Sequence, residues 1–328
     1  MRGGAWVHKM VLLACLKERM VLMNFHTPEL VVSAGSPEEA EKLLSAGADA
    51  VTVGDGRYAL RVPGNFSMPM ITDVGRIAHG QGKKVYVALN ALLHQEELNG
   101  LDEYVRQLAQ SKVDAVVFGD PAVLVAMQKT APGLKRHWST ETTSTNWRTV
   151  NFWARKGASR AILARELSLE EVIGVKQQSR IPVQVQVHGM TCIFHSKRPL
   201  VSNYLHILGK GDSKQEQLMV LKENTRSGQY YPIFEDHNGT HVMSHEDICM
   251  LEHLGVLIEN GIDSFYIEAL GKPLSYNCQV VSVYRQAIDC LAKNPQAALD
   301  PALLDAIKAV QPTERPLGTG FYFREQVY

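Results

Sequence analysis

Eight short runs of β-branched and aliphatic residues recur along this chain, most of them followed by a stretch with helical spacing. They are Glu29–Ser33, Asp49–Val53, Lys84–Leu89, Asp114–Phe118, Lys135–Ser139, Arg160–Ala164, Pro182–Val187 and Asp263–Glu268. Most lack polar alternation, the pattern of parallel strands covered on both faces. After the first run, Ser36-Pro37-Glu38-Glu39 supplies an N-cap, a proline at the first helical position and an acidic first turn. Ser168-Leu169-Glu170-Glu171 repeats the capping logic after the sixth. Four helices hand over to the next strand with a similar phrase: Ala46-Gly47-Ala48-Asp49, Ser111-Lys112-Val113-Asp114, Lys156-Gly157-Ala158-Ser159 and Asn260-Gly261-Ile262-Asp263. Eight such units favour a closed (β/α)8 TIM-barrel-like α/β fold over an open, doubly wound sheet.

The seventh and eighth runs are separated by far more chain than the others. This divides the sequence into an N-terminal extension (1–23), a barrel domain (24–190 and 245–295), an inserted lid or small subdomain (191–244) and a C-terminal tail (296–328). Tyr230-Tyr231-Pro232 and Asn238-Gly239 predict a hairpin within the insertion. Long loops on the C-terminal side of a strand are usually functional. The apolar run Met10–Leu16 is short, ends in charges and lacks a small-x-small cleavage site, so it reads as a non-essential extension or a misassigned start. No run is long enough to span a membrane as a helix.

Lys plus Arg and Asp plus Glu number 34 each, a balance that argues against a dedicated nucleic-acid binder. It leaves room for RNA contact through a local patch or a partner. Five widely scattered cysteines without a CxxC indicate reduced thiols in a cytoplasmic protein.

Barrel chemistry sits at the C-terminal ends of strands. Those positions hold Asn90, Asp120, Ser139-Thr140, Arg165-Glu166, His188 and Glu268. An arginine can grip a carboxylate or phosphate bidentately, and carboxylates and imidazoles can move protons. Polar residues at strand ends also cap helices and satisfy loop amides. Arginine, glutamate and histidine from adjacent strands six and seven nevertheless favour a site, with Arg165 and His188 opening into one pocket. No metal site is expected: His237-Asn238-Gly239-Thr240-His241 reads as a turn rather than a zinc-binding helix. No nucleophile elbow or P-loop is present. Cys249, within His245–Leu251, falls on an apolar helical face and reads as core. Trp138, Trp147 and Trp153 could stack on a base, but the helical spacing of the last two favours packing.

From Leu30 to about Asp289 the chain resembles peptidase family U32, the collagenase-like proteases. The resemblance rests on Ala164-Arg165-Glu166-Leu167-Ser168, Val187-His188-Gly189 with Cys192, Gly239-Thr240-His241, Gly261-Ile262-Asp263-Ser264 and Tyr284-Arg285. It implies a barrel-like catalytic domain. Many members hold an iron–sulfur cluster with four cysteines, the first in His-Gly-x-x-Cys. Here Cys192 and Cys249 match, Pro199 stands where a second cysteine belongs, and the later pair has no counterpart in 209–231. Two thiols cannot supply four-cysteine ligation, so no firmly bound cofactor is expected. The family name implies proteolysis, yet no triad, aspartate pair or zinc motif is legible. Relatives act instead in RNA hydroxylation and oxygen-independent quinone hydroxylation, and short, cluster-poor members resemble the smaller of two paralogues that form 5-hydroxyuridine at the tRNA wobble position using prephenate. The resemblance thus implies a cytoplasmic tRNA-modifying factor whose partners are tRNA, a longer U32 paralogue and a small anionic metabolite. Arg165 would hold the anion, His188 and Glu166 would serve acid–base or orienting roles, and Asn90, Asp120, Ser139, Thr140 and Glu268 would touch substrate. The alternatives are a collagenase-like peptidase and a non-catalytic subunit of a paralogous partner.

Overall fold

A computed structural model describes residues 26–139, 145–210, 218–222, 224 and 228–324. The extension 1–23 and Thr140 lie outside the described residues. The first seven apolar runs form β1 (Glu29–Ser33), β2 (Ala50–Gly54), β3 (Lys84–Leu89), β4 (Ala115–Phe118), β5 (Lys135–Ser139), β6 (Arg160–Ile162) and β7 (Val183–Ser196). Three further strands, β8 (Met219–Lys222), β9 (Tyr230–Asp236) and β10 (Gly239–Cys249), precede the eighth run, β11 (Ser264–Ile267). Strands β1 to β7 pair in parallel in chain order, and β11 closes the ring against both β7 and β1.

The helices α1 (Pro37–Ser45), α2 (Met68–Gly80), α3 (Leu101–Gln110), α4 (Pro121–Thr130), α5 (Trp147–Arg155) and α6 (Leu169–Gln178) follow the first six strands. Alternation along each strand splits the apolar residues between two cores. Leu30, Val32, Val51, Val53, Val85 and Val87 belong to the large core under the helices, whereas Val31, Ala50, Tyr86, Ala115 and Val117 fill the barrel. The recurring turn phrase has a physical role. Its final residue accepts the amide of a neighbouring strand: Asp49 Oδ2 from Leu30 N (2.9 Å), Asp114 Oδ2 from Val85 N (2.9 Å) and Asp263 Oδ2 from Val183 N (2.7 Å). Ser159 does the same for Arg136 at 3.3 Å. The floor of the barrel is ionic. Burial works against ionisation of Glu29, but Arg160 (2.6 Å), Lys84 (2.7 Å) and Tyr86 (2.8 Å) outweigh it and hold the carboxyl at about 2.

Strand β7 runs on past the barrel rim to Ser196 and pairs antiparallel with β10, which pairs with β9, and β9 with β8. The wall of the barrel thus continues upward as an antiparallel sheet, carrying α7 (Leu200–Ile207). Asn238-Gly239 lies at the β9–β10 hairpin, as its turn chemistry predicts. Cys249 ends strand β10 instead of lying on a helix, because the β7 edge offers its backbone a partner; its side chain still packs against the main core.

After β11 come α9 (Leu274–Leu291), preceded in the chain by the short α8 (Leu254–Glu259), and then α10 (Pro301–Lys308). The C-terminal segment is tied into the barrel. Strand β12 (Leu317–Gly318) pairs with β10, and Tyr322 OH donates to Gln186 O at 2.7 Å. Buried Asp247 holds Lys272 at 2.5 Å and Arg315 at 2.6 Å, linking β10, the turn after β11 and the C-terminal segment.

Candidate active site

A cavity of about 550 Å³ opens at the C-terminal mouth of the barrel. Every barrel strand or the loop directly after it contributes, among others through Ser33, Thr52, Asn90, Ser139, Gln186 and Glu268. The turn after β6 adds Arg165 and Glu166, the loop after β2 adds Arg61, the extended part of β7 adds Cys192 and His195, and Phe321 closes one side. Of the residues expected at a site, Asn90, Ser139, Arg165, Glu166 and Glu268 meet around this one space. Glu268 is 4% exposed and is fixed by Ser33 Oγ (2.9 Å) and Leu270 N (3.1 Å), both donating to Oε1. Asn90 Oδ1 accepts from Leu60 N at 2.9 Å, anchoring the loop that carries Arg61.

Two expected members do not reach the cavity. Asp120 is the N-cap of α4: its Oδ1 accepts from Ala122 N at 2.8 Å and its Oδ2 from Leu93 N at 3.0 Å. The proline that follows it makes this capping role self-consistent. His188 is the larger correction. Tyr266 pairs with Gln186, but Ile267 pairs with His188, so Val187 is an extra residue in β7. A bulge of one residue reverses the faces beyond it. Ile267 faces the outer core, and His188 therefore turns the same way, out of the barrel lumen. The imidazole is fully buried, with Nε2 2.8 Å from Tyr276 OH and Nδ1 3.3 Å from Tyr284 OH. Gly189 belongs to the same device: at φ 94°, a Cβ there would stand 2.3 Å from Glu268 O.

Burial pushes His188 down to about 4. Unfolding returns it to its ordinary 6.5, so below that pH the unfolded chain takes up a proton that the folded chain refuses. Its contribution is fully present above pH 6.5 and is lost as pH falls toward 4, amounting to about 3 kcal/mol. Urea unfolding of the protein and of its His188→Gln variant between those limits is expected to show a shallower pH dependence in the variant; parallel curves would refute this.

Sequence reading missed a group across the cavity wall. His241, fully buried on β10, has Nε2 2.9 Å from Asp236 Oδ1, and its Nδ1 lies 3.5 Å from Arg61 Nη1. Cys192 Sγ donates to Phe194 O at 3.3 Å, and the same imidazole stands near enough to favour the thiolate. Burial pushes the Cys192 thiol up, but His241, Arg61 and Arg165 together bring it below its ordinary value. Burial likewise opposes a proton on His241, yet Asp236 and Cys192 hold it there more firmly than usual. The cavity therefore combines two guanidinium groups, a thiol inclined to ionise, and the carboxylates of Glu166 and Glu268. Such a set can bind an anion and hold or move protons. The Gly239-Thr240-His241 and His-Gly-x-x-Cys motifs were the available signals; only the antiparallel pairing of β7 with β10 joins them.

The same pairing tests the iron–sulfur ligand set. Cys192 lies opposite Met243, whereas Cys249 lies opposite His188. Four strand residues separate them, about 13 Å along the strand. Among the described residues no group of three or more His, Cys, Asp or Glu side chains is arranged to hold a metal. These residues do not fit a cluster held by four cysteines.

The model of Peptidase family U32 matches residues 35–327. The chain is 46% identical over 307 residues to tRNA hydroxylation protein P2 of Bacillus subtilis (strain 168), covering 92% of this chain and 99% of that protein. It is 31% identical over 275 residues to tRNA hydroxylation protein P1 of the same organism, covering 82% of this chain but 65% of that longer protein. Among solved structures, the U32 peptidase Mk0906 superposes with a TM-score of 0.50 at 15% identity, over 76% of this chain and 95% of that one. This last likeness concerns the barrel fold.

Proposed function

This chain belongs to peptidase family U32, and from that membership we propose that it acts in tRNA hydroxylation, forming 5-hydroxyuridine at the wobble position. The observation that carries the reading is the 46% identity extending over 99% of tRNA hydroxylation protein P2. The cavity supports it. Arg165 and Arg61 face one space large enough for a small dianion, and prephenate, with two carboxylates, has the matching charge. Glu166 and Glu268 hold or accept protons, and Asn90 and Ser139 contact the bound molecule. His188 acts as a positioning residue: Tyr276 OH and Tyr284 OH hold its imidazole, and its backbone oxygen accepts from Glu268 N at 3.0 Å. A longer U32 paralogue and tRNA are the proposed partners, as the occurrence of P1 beside P2 in one organism suggests. Among the described residues no helix is long and apolar enough to cross a membrane, which suits a cytoplasmic site of action.

Mass spectrometry of tRNA nucleosides tests the reading. A strain lacking this gene is expected to lose 5-hydroxyuridine and to regain it on complementation. An unchanged level in the deletion strain would overturn the proposal.

One observation favours a second reading, peptide hydrolysis. A thiol whose ionisation is favoured by a nearby imidazole, itself 2.9 Å from a carboxylate oxygen, has the chemistry of a thiol nucleophile and its base. Gelatin cleavage that disappears in Cys192→Ser would support it; no cleavage by the purified protein would dismiss it.

A further inference from the structure

We propose that the outer wall formed by α5 and the turn after α6 is an RNA-binding groove, in which guanidinium groups grip phosphates and Trp147 stacks on an unpaired base. This rests on the tRNA reading and adds where the RNA lies. The groove, about 240 Å³, is lined by Trp147, Arg148, Asn151, Arg155 and Arg180.

From 145 to 165 the chain contains no Asp or Glu, although acidic and basic residues balance overall. Arg148, Arg155 and Arg180 are all exposed, and among the described residues none of them is in an ion pair. Other surface cations do find carboxylates, as Lys129 does in Asp102 (2.6 Å) and Lys42 in Glu38 (2.6 Å). A cluster of unmatched guanidinium groups in a neutral protein is a local anion field, and their planar forks suit phosphate oxygens.

Trp153 meets the packing expectation, stacking on Trp138 with ring centroids 3.9 Å apart. Trp147 departs from it: the residue is 38% exposed, with the Arg148 guanidinium 5.3 Å from its ring centroid. An exposed indole beside an arginine is a platform for an unpaired base.

Asn151 is 5% exposed; its Nδ2 donates to Gln178 O at 2.9 Å and its Oδ1 accepts from Arg180 N at 2.9 Å. It thereby fixes Arg180 beside α5. Helix α5 begins on the cavity side of the barrel and descends the wall for about 12 Å. An RNA strand lying along it would carry a loop nucleotide toward the mouth where Arg165 lies.

The test is equilibrium binding of unmodified tRNA by the full chain, with and without its longer paralogue, across a salt series. The triple variant Arg148→Gln/Arg155→Gln/Arg180→Gln is expected to weaken binding at least tenfold and to reduce the log–log salt slope by about two to three. Trp147→Ala is expected to weaken binding about tenfold with the slope unchanged. Unchanged affinity and slope in the triple variant would overturn the groove, as would no tRNA binding by the unmodified protein in either form. Loss of binding to anionic vesicles or to the paralogue alone, with tRNA affinity intact, would overturn it in favour of a membrane or protein surface. The functional reading fails separately: normal 5-hydroxyuridine in the deletion strain would refute it even if the variants lost RNA affinity.

Discussion

Arg165→Ala is expected to bring 5-hydroxyuridine formation close to the level of the deletion strain while leaving the unfolding midpoint almost unchanged. The side chain stands in the turn after β6 on the cavity wall, near enough to Arg61 and Cys192 to influence both. Removing a guanidinium that pairs with a carboxylate out of water costs about 2–5 kcal/mol, roughly thirtyfold to several-thousandfold in affinity or rate. Arg165→Lys keeps the charge but loses the planar fork, so an intermediate loss is expected. Complementation followed by nucleoside quantification measures both. Full modification by the alanine variant would remove Arg165 from the site.

The largest loss of stability is expected from Asp247→Ala. Asp247 is fully buried, and its partner Lys272 has a side chain only 2% exposed. Arg315 also reaches the carboxylate, and Gln311 Nε2 donates to Oδ2 at 2.7 Å. Truncating the aspartate strands two cations in a site built to neutralise them, a loss of about 3–5 kcal/mol. The damage spreads into the outer core, because Gln311 also accepts from Tyr276 OH (2.6 Å), which contacts His188. Adding Lys272→Met to Asp247→Ala removes one stranded charge and is expected to recover part of the loss. Urea unfolding of the single and double variants measures this; a single-variant loss below about 1 kcal/mol would contradict the account.

Much of the barrel was legible because its signals are local. Caps such as Ser36 and Ser168, and the turn residues Asp49, Asp114 and Asp263, act within one βα unit or on its immediate neighbour. Strand-end position was enough to bring Asn90, Ser139, Arg165, Glu166 and Glu268 to one mouth, since parallel strands in a closed ring all end on the same side. Asp120 shows the limit: a residue before proline at a helix start serves the helix first. Arg61 was invisible because it lies in a loop with no periodicity, at φ 51°, and reaches the cavity only when the barrel closes.

By itself, then, the sequence determined the count of βα units, their order and the residues at their ends, all of which follow from periods and caps spanning a few positions. Tertiary structure alone decided which way His188 turns and that Cys192 and His241 come to lie on neighbouring strands. The first depends on one unpaired residue in β7, and the second on an antiparallel pairing between segments about fifty residues apart. A period-two pattern is blind to a slip of one residue, and no local pattern encodes which distant strand will supply a partner.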